Sequence, residues 1–104
     1  MGGAVRGADI EKRLVALAAD VCRISAGLPR SDIGRHVSKQ LIRCGTSASA
    51  NYAEARSAES RKDFVHKMKV CLKELRETMS WLSLLRELGM GKRRPVAFAI
   101  SRAG

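Results

Sequence analysis

Residues 60–89, SRKDFVHKMKVCLKELRETMSWLSLLRELG, carry the strongest helical pattern in this chain. Ser60 is a favourable N-cap residue, and Gly89 is a residue type at which helices commonly end. Between them, apolar side chains recur every three or four residues, namely Phe64, Met68, Cys71, Leu75, Met79, Leu82 and Leu85. This spacing places them on one face of an α-helix. The pattern predicts a helix over 60–89 that packs on a core, with Leu75 and Met79 buried.

A second amphipathic pattern predicts a helix over residues 8–27. The apolar positions are Ile10, Leu14, Leu17, Val21 and Ile24. Gly27 ends the pattern, and Pro29 prevents the helix from resuming. Residues 1–7 are rich in glycine, so we expect them to be frayed.

The segment between these two patterns predicts a helix over 31–57, with Ser31 as its N-cap. Its apolar stripe is formed by Ile33, Val37, Leu41, Cys44, Ala48 and Tyr52. From Gly45 to Ala53 most side chains are small, yet the stripe continues in phase. We therefore expect a helix whose small-residue face lets a neighbouring backbone approach closely.

Residues 90–104 leave the C-terminal structure open. Lys92-Arg93-Arg94-Pro95 is basic and contains a helix breaker, and a short apolar run over 96–100 follows it. That run fits one or two helical turns, a strand or a disordered tail. We predict one domain over 1–104, an all-α, antiparallel up-and-down bundle with three clear helices and a short or missing fourth. Residues 1–7 and about 90–104 are the segments expected to be flexible.

Charge and hydropathy limit the classes of partner. The chain has 20 Lys and Arg against 10 Asp and Glu, a formal charge of +10. Such a charge attracts polyanions. The sequence has no apolar stretch as long as a membrane span and no signal-peptide pattern. We expect a cytoplasmic protein with no membrane partner.

The sequence predicts no catalytic, metal or cofactor site. The three cysteines, Cys22, Cys44 and Cys71, are far apart and form no C-x-x-C pair. Their helical positions among apolar neighbours indicate small buried side chains in a reducing compartment. Nothing places His36 or His66 beside a cysteine. We therefore predict that the protein is not an enzyme.

Two basic rows are the candidate nucleic-acid-binding residues. The row predicted on the third helix consists of Lys62, His66, Lys69, Lys73 and Arg76, and the row on the second consists of Arg35, Lys39 and Arg43. Side chains at these spacings share a helix face and can follow phosphates. Ordinary solvated faces are the alternative interpretation. Glu74 and Glu77 lie near Lys73 and Arg76, which indicates an exposed surface on this side of the helix.

Asn51 and Glu54 form a polar pair within the small-residue segment. They are three residues apart, so they are neighbours on one helix face. Two interpretations remain open: hydrogen bonds across a helix interface, or an ordinary polar surface.

Several segments together resemble a bacterial protein family. They are Gln40-Leu41-Ile42-Arg43, TSASANYAEA at 46–55, SRKDF at 60–64, LKELRET at 72–78 and Trp81-Leu82. The sequence resembles the four-helix-bundle proteins encoded in 23S rRNA intervening sequences. It is also similar to the accessory variability determinant proteins of diversity-generating retroelements. The Ala-Asn-x-x-Glu and Ser-x-x-Asp-Phe elements in combination are the most specific part of the match.

The resemblance implies an up-and-down bundle that assembles as a ring-like homopentamer. It also implies association with nucleic acid through basic surfaces, which is established for some members. Asn51, Glu54, Asp63 and Phe64 carry over as motif positions with a structural rather than functional role. The family pattern includes a full fourth helix, whereas residues 90–104 offer only a basic segment and a short apolar run.

Two hypotheses for function follow. The first is a non-enzymatic, oligomeric accessory protein that contacts the backbone of RNA or DNA through basic helix faces. The second is an oligomeric scaffold that binds a protein partner, with its charge serving solubility. In both, the protein itself is a partner, and Trp81, Leu84 and Leu88 offer apolar contact surface beside the main stripe.

Overall fold

A computed structural model describes residues 2–103, with side chains from residue 6 onward. It contains four α-helices: α1 (Gly2–Ala26), α2 (Asp32–Arg56), α3 (Arg61–Leu88) and α4 (Arg93–Ala103). None of residues 2–103 forms a β-strand. Each helix packs antiparallel on the next, and α4 also packs on α1. The predicted all-α, up-and-down bundle is confirmed, and the fourth helix is present but short.

Local capping sets the ends of α2 and α3. The hydroxyl of Ser31 accepts a hydrogen bond from the Gly34 N–H at 3.1 Å, and Ser60 accepts one from Asp63 at 3.0 Å. At the far end of α3, Gly89 adopts φ 65°, a left-handed conformation that glycine tolerates at no steric cost. The predicted bounds of these two helices are therefore correct to within one residue.

The first helix begins earlier than its apolar pattern predicts. It starts at Gly2 rather than at residue 8, so the expectation that residues 2–7 are frayed is wrong. The extra turns lie beside the C-terminal end of α2. There Arg56 binds Glu11 at 3.2 Å and lies next to Gly7.

The four helices enclose a core that is complete only near α4. The main cluster includes Leu17 and Val21 of α1, Leu41 of α2, Leu82 of α3 and Val96 of α4. A smaller cluster continues beyond the end of α4 and consists of Leu14, Ala48, Tyr52 and Cys71.

Leu75 and Met79 are only half-buried, so the prediction that both are buried is wrong. The helix α4 has 11 residues and α3 has 28, which correspond to lengths of about 16 Å and about 42 Å. Among the described residues, α4 therefore covers only the second half of α3, and the first half has no helix in the corresponding position. Phe64, in that half, remains 44% exposed.

The small-residue segment of α2 packs on α1, but through a side chain of α1 and not through the predicted close approach of its backbone. Cys44, Gly45 and Ala48 are buried. A Cβ added at Gly45 would lie 2.5 Å from Cγ2 of Val21, well inside van der Waals contact. The side chain, rather than the backbone, of α1 occupies this space.

Candidate nucleic-acid interface

The basic row of α3 lies on the surface as the spacing predicts. Lys62, His66, Lys69, Lys73 and Arg76 are all exposed. Within the described part of the chain, none of these side chains forms a hydrogen bond or an ion pair. The row extends over about 21 Å, from 14 residue steps at 1.5 Å each. Five basic groups thus remain available to an external anion.

The Arg76 end of the row is free because the nearby acids of α3, Glu74 and Glu77, point toward α2. Glu74 is 8% exposed and Glu77 is half-buried, so the expectation that they lie on an exposed surface is wrong. Arg43 of α2 donates to Glu74 Oε2 at 3.0 Å and also binds Glu77. The Trp81 ring N–H donates to Glu77 Oε2 at 3.0 Å, so both carboxylates are satisfied between the helices.

The predicted row on α2 does not act as one unit. Arg43 is held by the two carboxylates of α3. Desolvation would lower its pKa, but Glu77 and Glu74 outweigh that effect and raise the pKa above its ordinary value. Arg35 binds Asp32 at 3.0 Å and the Arg30 carbonyl at 2.7 Å. Lys39 alone in this row has no such partner among the described residues.

Lys39 lies close to one end of the α3 row. The neighbouring contacts from α2 to α3 are His36 to Trp81, with ring centroids 5.6 Å apart, and Arg43 to Glu77. Lys39 falls between these contacts along α2, which places it near the Arg76 end of the row. It is exposed on α2 at the level of that end of the row.

Ion pairing leaves the rest of the surface strongly basic. Six acidic side chains pair with six basic ones. The pairs are Glu11 with Arg56, Asp20 with Arg23 and Arg102, Asp32 with Arg35, Glu54 with Lys67, and both Glu74 and Glu77 with Arg43. Several of these pairs connect different helices. Over residues 6–103, most of the remaining Lys and Arg side chains have no carboxylate partner. The acids therefore act mainly at helix contacts, and the positive excess faces solvent.

Three of the four motif residues have polar contacts within the bundle. Asn51 donates to the Ser47 carbonyl at 2.9 Å within α2, whereas Glu54 reaches α3 and binds Lys67 at 3.0 Å. The hydrogen bond and the charge of Glu54 raise the pKa of Lys67. The backbone of Asp63 joins the N-terminal cap of α3. Phe64, the fourth motif position, lies largely at the surface of the same helix.

The cysteines divide into two environments. Cys44 and Cys71 are buried, and desolvation raises the pKa of each thiol. At Cys44 a hydrogen bond from Thr78 lowers the pKa, but desolvation is the larger effect. Cys22 is exposed, so the expectation of three buried cysteines is wrong for this residue. Its position is on the outer side of α1, beside the stripe rather than in it. Both buried thiols are neutral and poorly nucleophilic near neutral pH.

Two other kinds of feature are absent from the described residues. No group of three or more His, Cys, Asp and Glu side chains in residues 6–103 is arranged to hold a metal ion. Among the four helices, none combines the length and the apolar character needed to cross a membrane.

The fold and its surface define a small, basic four-helix-bundle protein. Residues 7–101 match the family model of the 23S rRNA-intervening sequence protein. The chain belongs to this family, as its motifs indicated.

A solved structure agrees with this assignment. It is a crystal structure of a protein of unknown function from the S23 ribosomal protein family of Bacteroides thetaiotaomicron VPI-5482. The two chains are 31% identical and superpose with a TM-score of 0.81, over 90% of this chain and 87% of that chain. No curated protein gives a significant match.

Proposed function

We propose that this protein is a non-enzymatic, oligomeric accessory protein that binds the backbone of RNA or DNA. The α3 row carries the proposal, because four Lys and Arg side chains and one His lie exposed on one face without a carboxylate partner in the described structure. Basic side chains that contact phosphates release bound counterions, which is the main source of non-specific affinity.

The row is about as long as a short stretch of duplex. Its length of about 21 Å equals the axial length of about six base pairs, at about 3.4 Å per base pair. The row contains no Phe, Tyr or Trp side chain that could stack on a base. Phosphate contacts position a protein without selecting sequence, so we expect weak sequence preference.

Apolar surface supports self-association. Phe64, Val65 and Leu72 are 44%, 39% and 48% exposed on the half of α3 that α4 does not cover. Leu84 and Leu88 are also exposed, at the other end of α3. Apolar surface of this kind commonly marks an interface between proteins. We propose a homo-oligomer, and the family resemblance favours a pentamer.

The salt dependence of binding tests the nucleic-acid proposal. With about four phosphate contacts per subunit, log K should fall against log salt with a slope near −3 for a single strand and steeper for duplex DNA. In Lys69→Glu/Lys73→Glu, affinity should fall for every sequence and the slope should shrink by about half. The control is Lys12→Glu/Arg13→Glu, an equal charge change at two exposed positions of α1.

The two variants separate the row from net charge. If both weaken binding equally, the attraction comes from total charge and the row has no special role. If neither weakens it, the protein-scaffold hypothesis becomes the better one. Circular dichroism should show unchanged helix content, and sedimentation of the wild type should show an oligomer at micromolar concentration. A monomer would refute the proposed assembly.

A further inference from the structure

A groove between α1 and the start of α4 combines apolar walls with a cationic rim. Its volume is about 930 Å³. The apolar side chains that line it include Ile24, Pro95 and Phe98, and the basic ones are Arg23, Lys92 and Arg94. This groove lies on α1 and α4, away from the basic row of α3.

Phe98 is the unusual side chain in this groove. It is 58% exposed, whereas its neighbours Val96 and Ala99 supply the core contacts of α4. The Arg102 guanidinium lies 4.6 Å from the centre of the Phe98 ring, and its Nε donates to Asp20 Oδ2 at 2.7 Å. An ion pair between helices thus holds a cation against the ring, while much of the ring surface remains accessible.

The charge of the groove favours an anionic ligand. Lys92 and Arg94 have no carboxylate partner among the described residues. The one carboxylate in the lining is Asp20, which is already bound by Arg102 at 2.7 Å and lies 3.8 Å from Arg23. An anion entering the groove therefore meets free cations and a carboxylate that is already neutralised.

The exposed apolar surface of the groove suits one planar group. An amphipathic helix from a partner protein would need several apolar anchors at successive turns. Here a single large apolar side chain, Phe98, is exposed, because Ile24 is only 7% exposed. A flat aromatic ring with an attached anion matches both the ring and the rim. An unpaired nucleotide has this chemistry, and base stacking on aromatic side chains is a common feature of single-strand binding.

We propose that this groove binds one unpaired nucleotide, with its base stacked on Phe98 and its phosphate against Lys92 and Arg94. The inference rests on the proposed nucleic-acid function and adds a preference for unpaired segments. The α3 row would hold backbone of any structure, whereas the Phe98 site would favour a single strand or a bulged base. Paired bases cannot occupy it, because they are stacked within the duplex.

The test compares two fluorescein-labelled probes, an oligouridylate of about 12 nucleotides and a blunt RNA duplex of about 12 base pairs, within the usual site size of such grooves. Phe98→Ala should weaken single-strand binding by at least about 5-fold, since loss of stacking costs about 1–3 kcal/mol per base. Duplex binding should stay within about 2-fold, because the backbone contacts remain. Phe98→Trp should preserve the single-strand affinity, and Ile33→Ala, at another exposed apolar position, should change neither probe.

Each outcome assigns the failure to one proposal. If the wild type binds neither probe, the proposed function fails, and this inference fails with it. If the wild type binds both and Phe98→Ala changes neither, the Phe98 site is refuted while the α3 row stands. An equal loss on both probes would mean that Phe98 serves the fold or the assembly. Phe98-dependent binding of an acidic peptide of Glu-Leu-Leu-Glu repeats, without any effect on RNA, would make the groove a protein site and overturn the inference.

Discussion

Replacing Gly45 with alanine tests the closest contact between α1 and α2. Glycine inside a helix is less favourable than alanine by about 1 kcal/mol, so this change stabilises an exposed helix. At Gly45 the new Cβ would lie 2.5 Å from Cγ2 of Val21. Val21 is fully buried, and a valine in a helix has one strongly preferred rotamer. It cannot easily turn away, so the two helices must separate.

The expected change in stability follows from these two opposing effects. Carbon atoms in favourable contact are about 3.5–4.0 Å apart, so the helices must move by about 1 Å. Overpacking of this kind costs about 1–3 kcal/mol. The gain in helix propensity offsets about 1 kcal/mol of that cost. Gly45→Ala should therefore lower the free energy of unfolding by about 0–2 kcal/mol, instead of raising it by about 1 kcal/mol.

A double-mutant cycle in urea, followed by circular dichroism at one protein concentration, measures the contact. The variants are Gly45→Ala, Val21→Ala and both together, and their effects should couple by about 1 kcal/mol because Val21→Ala makes room for the new methyl. Gly7→Ala is the control, since its Cβ would meet only the flexible end of Arg56, at 3.0 Å. Stabilisation by Gly45→Ala, or additive effects in the cycle, would refute the close packing of α1 and α2 at this point.

Two further predictions concern the titratable side chains. Ellman's reagent should modify Cys22 rapidly in the folded protein, whereas Cys44 and Cys71 should react only after unfolding, because both are buried; fast reaction of all three thiols would contradict this. The folded-state pKa values of Cys44, Cys71 and Lys67 are all raised, so the folded state binds these protons more tightly than the unfolded state. The contribution of the two thiols is fully present below about pH 9 and is lost as pH rises through their raised pKa values, whereas that of Lys67 is lost only above about pH 10.5. Urea titrations between neutral pH and pH 10 should show the loss that comes from the thiols, and a flat profile would contradict their shifts.

Much of the fold can be predicted from local signals. Ser31, Ser60 and Gly89 mark helix ends through interactions within a few residues, so the bounds of α2 and α3 follow from the sequence. The start of α1 and the existence of α4 depend on contacts with distant segments. The short apolar run after Pro95 becomes a helix because Val96 and Ala99 meet α1 and α3.

The buried face of α3 could not be predicted from hydrophobicity alone. The positions that are buried are Cys71, Glu74, Thr78, Leu82 and Leu85, which follow helical spacing but include two polar residues. Glu74 is satisfied by Arg43 of α2, and the Thr78 hydroxyl donates to the Glu74 carbonyl at 2.8 Å. An apolar pattern misses such positions, because their partners lie on another helix or in the backbone.

In the candidate site, too, the features set by nearby residues could be predicted and those set by distant residues could not. Exposure of the α3 row follows from spacing, since a face opposite the core needs no partner to be exposed. The engagement of Arg43 could not be foreseen, because it depends on carboxylates more than 30 positions away in the chain. The exposure of Phe98 could not be predicted, because the sequence left the structure of residues 90–104 open.

The charges of the α3 row lower the stability of the helix, which helps to distinguish a binding surface from one that serves only solubility. Its members lie at i,i+3 and i,i+4 spacing, and like charges at these spacings destabilise a helix by about 0.2–0.5 kcal/mol per pair. A surface that served only solubility would be better built from alternating charges, which stabilise by a similar amount. Lys69→Glu alone would place a carboxylate four residues before Lys73, the favourable orientation. This single variant should therefore be at least as stable as the wild type while binding nucleic acid more weakly, and a loss of stability would show that Lys69 has a structural role instead.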